Sequence, residues 1–468
     1  MVTSYFGGSM NDSFSLLSCC LKTLTLKPDI VGQICQLSDD TLASILSQLP
    51  LEEAIRTSIL SSRWRHLWKR STSLNFDSKK TFERIRYKPE LRKSETNKFV
   101  TWVNHVLEAH DASSIEEFKV IFGLDKRFKF DIDGWIKFAL SRKVQRLELN
   151  LLSGRKPYTF SLELLAGIEE ICLNSRFGIM GNGMLADVKS LKEVSLKNLH
   201  VGGEVVEVLL LNCPYLERLS ICGSCSLINL KVGGPVCALK YLVVMGCRCI
   251  KSIKISASNL VSFNYVGVKT NLFLENVPSL VDVRIGEGMV TSYFGGSMND
   301  SFSLLSCCLK TLTLKPGIVG FVLPEWLPKL YALEQLIVEI TASRDTSFLN
   351  YATFIEVAPH LQKFAFQAAW DYSNLSVCKR KVQRCVRHFH HRCLKEVRLG
   401  GYYGRKSDLE VAIFFLENAV ALEKMIINPR DESSFLPDYA FSRQRAARSR
   451  AKHQLDGIVP AGVKLVIL

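Results

Sequence analysis

Cys213, Cys222, Cys225, Cys237, Cys247 and Cys249 crowd one stretch of this chain, and Cys222 and Cys225 are spaced like a zinc-ligand pair. A tetrahedral thiolate site needs a second pair at similar spacing. The competing reading is a set of small apolar side chains in a packed core, which free cysteine fills well. Cys247 follows an apolar strand pattern at a place where a side chain must bond the turn backbone. Cys213 sits where a small buried group is wanted. The core reading is adopted, and no metal site is expected. CVRHFHHRC, Cys385 to Cys393, places His388, His390 and His391 between two cysteines. Its basic surroundings oppose a cation and it lacks a second ligand pair, so a surface turn is expected. Asp131 and Asp133 in FDIDGW are a carboxylate pair of the sort used in acid–base chemistry. Nothing around them marks a cleft or a proton partner, and Asp-Gly reads as a turn. The chain has no Gly-rich phosphate loop, HExxH helix or nucleophile elbow. Neither a cofactor nor catalysis is expected.

The elements that would position any of these side chains come from a repeated pattern, apolar-x-x-apolar-x-apolar. It reads IEEFKV at 115, VQRLEL at 144, IEEICL at 168, LKEVSL at 191, LERLSI at 216, LKYLVV at 239, IKSIKI at 250 and LVSFNY at 260. It continues as LVDVRI at 280, LKTLTL at 309, LEQLIV at 333, LQKFAF at 361, LKEVRL at 394 and LEKMII at 422. Most steps are 20 to 33 residues, with one short step near 250. This is a leucine-rich-repeat period, with one short strand per repeat in a parallel sheet. The x positions, such as Lys192, Glu193, Glu217 and Arg218, project from the strand-bearing face.

Ahead of the repeats, Leu37 to Trp68 reads LSDDTLASILSQLPLEEAIRTSILSSRWRHLW. Ser38 can cap a helix in which Leu42, Ile45, Leu46 and Leu49 form one apolar face. Pro50 breaks it. A second helix runs from Leu51 to Leu60, and a short third carries Trp64, Leu67 and Trp68. Three short helices cannot bury this much apolar surface alone, so a partner is needed. These residues resemble the F-box, the adaptor-binding module of substrate receptors in Skp–cullin–F-box (SCF) ubiquitin ligases. The resemblance rests on Asp39-Asp40, Ile45-Leu46, Leu49-Pro50-Leu51, Glu53-Ala54, Arg56-Thr57-Ser58, Leu60-Ser61 and Arg63-Trp64-Arg65-His66-Leu67-Trp68. The family's usual Leu-Pro start is Leu37-Ser38 here, which removes a pre-set turn. The resemblance implies that Leu37, Leu42, Ile45, Leu46, Leu49, Pro50, Leu51, Ile55, Leu60, Trp64, Leu67 and Trp68 face the adaptor. The repeats resemble those of plant F-box proteins at Asn212-Cys213-Pro214-Tyr215-Leu216-Glu217 and Ser258-Asn259-Leu260-Val261-Ser262-Phe263. From Cys393 on, Leu394-Lys395-Glu396-Val397, Gly401-Tyr402, Gly404-Arg405, Leu416-Glu417-Asn418-Ala419 and Leu422-Glu423-Lys424 resemble the FBD-type C-terminal region of that family.

The expected fold is α/β, a small three-helix F-box followed by an irregular leucine-rich-repeat solenoid with a parallel sheet. The expected organisation is F-box at 34–76, basic linker with a helix (FVTWVNHVLEAH) at 77–114, repeats at 115–392 and FBD-like end at 393–468. Met1 to Gly32 recur at Met289 to Gly320 with one difference, Asp29 against Gly317. Such near-identity points to a recent duplication or a wrongly joined gene model; the segment at 1–28 has no matching neighbours to stack on, is expected to be disordered, loosely attached or artefactual, and is assigned no function.

Hydrophobic content of 47% and charged content of 22% are globular values. The net charge of +15 is concentrated at Arg63–Lys98, Lys379–Lys406 and Arg443–Lys452. The first two show no aromatic interleaving of the kind that single strands stack on, and the last reads as a solvated helix face in preference to a nuclear-localisation patch. Nucleic acid is not an expected partner. No signal peptide or membrane span is read, which gives a cytoplasmic and/or nuclear protein with reduced cysteines. The resemblance implies a substrate-recognition subunit that binds a Skp-like adaptor, through it a cullin, and an unidentified protein substrate. The alternatives are an F-box interaction protein that acts without ubiquitination and a basic nucleic-acid-binding solenoid.

Overall fold

The computed structural model describes residues 36–47, 49–57, 63–152, 156–165, 188–234, 237–287, 306–316, 329–342, 346–370, 380–384, 390–430 and 439–468. The N-terminal copy of the duplicated segment and the IEEICL pattern at 168 lie outside them. The chain divides into two compact units, 1–216 and 217–468.

In the first unit, helix α1 (Asp39–Leu46) starts at Ser38, whose Oγ accepts the Thr41 backbone N–H at 3.3 Å. Pro50 precedes α2 (Leu51–Arg56), which carries Glu52 and Glu53 in its first turn, where carboxylates complement the helix dipole. Helix α3 (Trp64–Leu67) runs on into a tight turn at Trp68–Arg70. Strand β1 (Ser73–Asp77) follows and pairs in parallel with β2 (Glu117–Ile121), β2 with β3 (Arg146–Asn150), and β3 with β4 (Glu193–Lys197). Register aligns Leu74, Phe118, Leu147 and Val194 in one inward row, with Phe76, Val120, Leu149 and Leu196 in the next; all are buried. That alternation is why each strand reads apolar-x-apolar in the sequence.

The stretch read as a basic linker forms α4 (Lys79–Tyr87) and α5 (Arg92–Ala109). Helix α5 buries Phe99, Val103, Val106 and Leu107, residues at helical spacing. The Phe99 ring stacks on Phe122 at 4.2 Å, and Trp102 meets Phe76 edge-on at 5.1 Å. Each such aromatic contact contributes about 0.5–1.5 kcal/mol beyond area burial. Helix α6 (Lys129–Ser141) and α7 (Gly203–Asn212) complete the described helices of this unit longer than one turn.

The second unit holds ten parallel strands in one sheet among its described residues. They are β5 (Arg218–Cys222), β7 (Tyr241–Met245), β9 (Ser262–Gly267), β11 (Asp282–Glu287), β12 (Thr311–Pro316), β13 (Gln335–Ala342), β14 (Lys363–Trp370), β15 (Glu396–Gly400), β16 (Lys424–Asn428) and β17 (Lys464–Ile467). Three further strands, β6 (Asn229–Gly233), β8 (Ser252–Ser256) and β10 (Asn271–Glu275), pair with one another in a separate parallel sheet. This explains the short step near 250. IKSIKI is the β8 strand of the second sheet, so here each repeat supplies two strands, and the step is half a repeat. Sharp turns leave β5 and β7 at Gly223 and Gly246, both at positive φ (72° and 64°), where only glycine is free of strain. Toward the C-terminus helices α8 (Leu349–Ala352), α9 (Lys406–Asn418) and α10 (Tyr439–Leu455) accompany the strands.

Candidate interaction surfaces

The F-box residues divide into two groups by burial. Leu42, Leu46, Leu51, Trp64, Leu67 and Trp68 are buried within the first unit. Leu37 and Pro50 are exposed, and Ile45, Leu49 and Ile55 are half-buried. The expectation that all of these face the adaptor is therefore divided by the structure. Six hold the helices together, because α1 packs on α3 and α2 on β1; the other five keep apolar surface open to solvent. Leu60 lies outside the described residues. Two motif residues explain each other: Arg63 pairs with Asp39 at 2.6 Å and donates to the Leu37 carbonyl at 2.5 Å. The clamp joins the start of α1 to the start of α3, and it holds the Leu37 backbone in a place where Ser38 supplies no proline-set turn.

The second candidate surface is the strand face turned away from the core. In the second unit its middle row, read across the register, is Ser220, Val243, Asn264, Arg284, Thr313 and Ile337, then Ala365, Arg398, Ile426 and Val466. Polar and small side chains alternate with aliphatics, and the charges are cross-linked. Arg284 bridges to Glu339 at 2.5 Å, Lys424 to Glu396 at 3.5 Å, and Ser262 donates to Asp282 at 2.7 Å. The Arg218 guanidinium lies 3.8 Å from the Tyr241 ring centre. In the first unit Glu148 on β3 bridges Lys119 on β2 at 3.1 Å and Lys197 on β4 at 2.9 Å. Burial would raise its carboxyl, but hydrogen bonds from Lys197 and Lys119 outweigh that and hold it below the ordinary carboxylate value. The face is therefore one of mixed shape whose charges are largely paired with one another.

The residues singled out for chemistry go elsewhere. Among the described residues no cluster of three or more His, Cys, Asp or Glu could hold a metal. Cys213 and Cys247 are buried, which pushes their thiols up to about 12 and about 11. Cys247 also bonds backbone, with its Sγ 3.9 Å from the Ile221 carbonyl and 3.7 Å from that of Met245. Asp131 and Asp133 lie on α6 and not in a turn. The buried run Ile132, Trp135, Ile136, Ala139 and Leu140 at helical spacing overrides the Asp-Gly signal. Asp131 accepts from Asn104 at 3.0 Å while Asn104 accepts the Trp135 indole N–H at 2.7 Å. Asp133 accepts the Tyr158 hydroxyl at 2.5 Å and pairs with Lys129. Both carboxylates are structural.

His391 corrects the surface-turn expectation. It is 1% exposed. Its Nδ1 accepts the Leu394 N–H at 3.0 Å and the Cys393 N–H at 3.3 Å, so Nε2 carries the proton and donates to the Ala358 carbonyl at 2.8 Å. Burial holds its pKa below the ordinary histidine value, and His360 nearby adds to the effect. Residues 385–389, with Cys385 and His388, lie outside the described set.

The Gly-Tyr-Tyr-Gly-Arg run after β15 is a packing hub that sequence reasoning did not explain. Gly401 (φ 68°) and Gly404 (φ 78°) take positive φ, and a Cβ on Gly401 would stand 1.9 Å from the Ala368 carbonyl oxygen. The Gly401 carbonyl accepts the Trp370 indole N–H at 3.0 Å, and Arg405 stacks 3.5 Å over the Trp370 ring. Tyr402 donates to Gln454 on α10 at 3.0 Å, and Gln454 donates back to the Gly404 carbonyl at 2.9 Å.

Comparison with known proteins finds two family matches. The F-box domain model matches residues 34–75, and the model described as At1g61320/AtMIF1, LRR domain, matches residues 106–456. The chain is thus a member of the plant F-box/leucine-rich-repeat family, with an FBD-like C-terminal region. The FBD-associated F-box protein At4g10400 of Arabidopsis thaliana is 26% identical over 420 residues, 85% of this chain and 92% of that protein. The F-box/FBD/LRR-repeat protein At5g22660 of the same plant is 22% identical over 423 residues, 84% of this chain and 88% of its own. Higher identity, 30% and 31%, comes with the Arabidopsis putative F-box/LRR-repeat protein At3g28410 and F-box/LRR-repeat protein At3g03360, of which the matched region spans only 36% and 37%.

Proposed function

We propose that this chain is the substrate-recognition subunit of an SCF-type ubiquitin ligase. The observation that carries this reading is the division of the F-box residues into an inward set and an outward one, Leu37, Ile45, Leu49, Pro50 and Ile55. Half-buried aliphatics on helices whose cores are already filled are surface that a partner would cover. A Skp-like adaptor would seat on that face and bring a cullin with it, and the strand face of the repeats would hold a target protein. Tethering then raises the effective concentration of the target's lysines near the activated ubiquitin, and no residue of this chain makes or breaks a bond. The family match at 34–75 supports the adaptor arm, and the repeat match at 106–456 supports protein binding.

The test is co-purification with a Skp-like adaptor and a cullin. Wild type should bring both down, and Ile45→Asp with Leu49→Asp should lose both while keeping its melting profile. A folded wild type that recruits the adaptor without a cullin would leave an interaction protein and remove the ligase reading.

A further inference from the structure

The first unit carries a basic surface that its fold does not explain. Helix α4 turns Phe82 inward, so closely that a Cβ on Gly123 would stand 2.5 Å from that ring, and it buries Ile85. Its other face exposes Lys79, Lys80, Glu83, Arg84, Arg86 and Tyr87. Lys88, Arg92 and Lys93 follow, also exposed. Ion pairs account for part of this charge: Lys79 with Asp77 at 3.4 Å, and Arg84 and Lys98 with Glu95 at 2.6 and 3.0 Å. Burial would raise the Asp125 carboxyl, but hydrogen bonds from Arg127 lower it, and the Arg92 charge adds a smaller effect. Among the described residues, Lys80, Arg86, Lys88 and Lys93 have no acid within ion-pair distance, and Glu83 and Glu90 are the acids of the stretch outside those pairs.

Two features separate this surface from an ordinary solvated face. Lys79 and Lys80 open α4, and Arg92 and Lys93 open α5, so each pair stands at the helix end that repels cations. These positions cost stability. Tyr87, 85% exposed, stands among the cations. Arg and Tyr are the residue types that most often anchor protein interfaces.

We infer that the face formed by Lys80, Arg86, Tyr87, Lys88 and Lys93 docks an acidic protein segment. Carboxylates spaced along an extended peptide can meet these cations one by one while its apolar side chains cover Tyr87. Glu83 and Glu90 sit among the cations and would repel the continuous charge of a nucleic-acid backbone, and a lone exposed tyrosine offers no row on which bases stack. Its residues are distinct from those of the apolar F-box face and of the strand face, so the inference goes beyond the adaptor and substrate sites.

The full-length chain is titrated with a fluorescein-labelled peptide in which Glu alternates with Ser around one central Phe, and separately with labelled oligo-dT, by fluorescence anisotropy. One variant carries Lys80→Glu, Arg86→Glu, Lys88→Glu and Lys93→Glu; a second carries Tyr87→Ala alone. All five positions are exposed, and circular dichroism melting confirms that both variants fold. The expected result is peptide binding that weakens with salt, is lost by about tenfold or more in the charge variant, and falls about threefold in Tyr87→Ala. Absence of peptide binding by wild type, or equal binding by the folded charge variant, overturns the inference. Tighter binding of oligo-dT through the same four residues also overturns it and assigns the face to nucleic acid.

Discussion

Replacing His391 with leucine is the sharpest probe of the packing that seats β15. The imidazole fills a buried position and satisfies three backbone groups, the N–H of Leu394, the N–H of Cys393 and the carbonyl of Ala358. Leucine keeps much of the volume and none of the hydrogen bonds. An orphaned buried backbone group costs about 1–3 kcal/mol, and local shifts recover part of it, so a loss of about 2–4 kcal/mol is expected. The pH dependence gives an independent reading. Burial lowers the folded pKa of His391 below the unfolded value of 6.5. The unfolded chain therefore takes up a proton first as the medium is acidified. Stability is complete above about pH 6.5 and is lost as pH falls toward the folded value, at up to about 1.4 kcal/mol per pH unit for one group. His110, whose pKa burial also lowers and whose Nε2 bonds the Ser71 carbonyl at 2.9 Å, loses stability in the same direction. The difference between wild type and His391→Leu isolates His391. Urea unfolding followed by tryptophan fluorescence at about pH 7.5 and pH 5.5 measures both effects. Equal stability of the two proteins at the higher pH, or equal losses on acidification, would refute the hydrogen-bond assignment.

Gly401→Ala should destabilise the second unit by about 2–4 kcal/mol, since it adds left-handed strain and a Cβ pressed on the Ala368 carbonyl, and a thermal melt reads it. Arg380→Ala removes the cation from Glu410, whose side chain is 0% exposed and also accepts the Gln383 N–H at 2.6 Å. Leaving that carboxylate buried and unpaired should cost about 3–5 kcal/mol, seen as a lower urea midpoint. Arg63→Ala breaks an exposed pair with Asp39, so its ionic part is worth only about 0.2–1 kcal/mol in the melt; a larger loss would mean that the bond to the Leu37 carbonyl is the main contribution. Leu46→Asp should unfold the F-box helices, whereas Leu49→Asp should leave the melt unchanged, which limited proteolysis distinguishes.

Most of the main strands were legible because they bury two alternate apolar side chains that recur at repeat spacing, as Leu219 and Ile221, Phe263 and Tyr265, or Val283 and Ile285 do. The second sheet was not. Strand β6 shows only Leu230 and Val232 and β10 only Leu272 and Leu274 between polar residues, and the pattern of β8 looks the same whichever sheet it joins. Helical periodicity identified the apolar F-box residues but not which of them pack inward, because that depends on where α3 and β1 lie. His391 looked like a surface residue because its partner at Ala358 comes from another repeat, and a buried polar group is recognised only when its distant partner is known. The Gly401 and Gly404 positions could be read only as a family resemblance. Their need for glycine comes from Ala368 and Arg450, which fold beside them.

The most direct measurement is the affinity of the purified chain for a Skp-like adaptor by isothermal titration calorimetry, beside the Ile45→Asp, Leu49→Asp double variant. Binding with a negative heat-capacity change and little salt dependence is expected, weakened about a hundredfold or more in a double variant that melts like wild type. Undiminished binding by that variant, or no binding by a folded wild type, would contradict the claim that the outward F-box residues form the docking face.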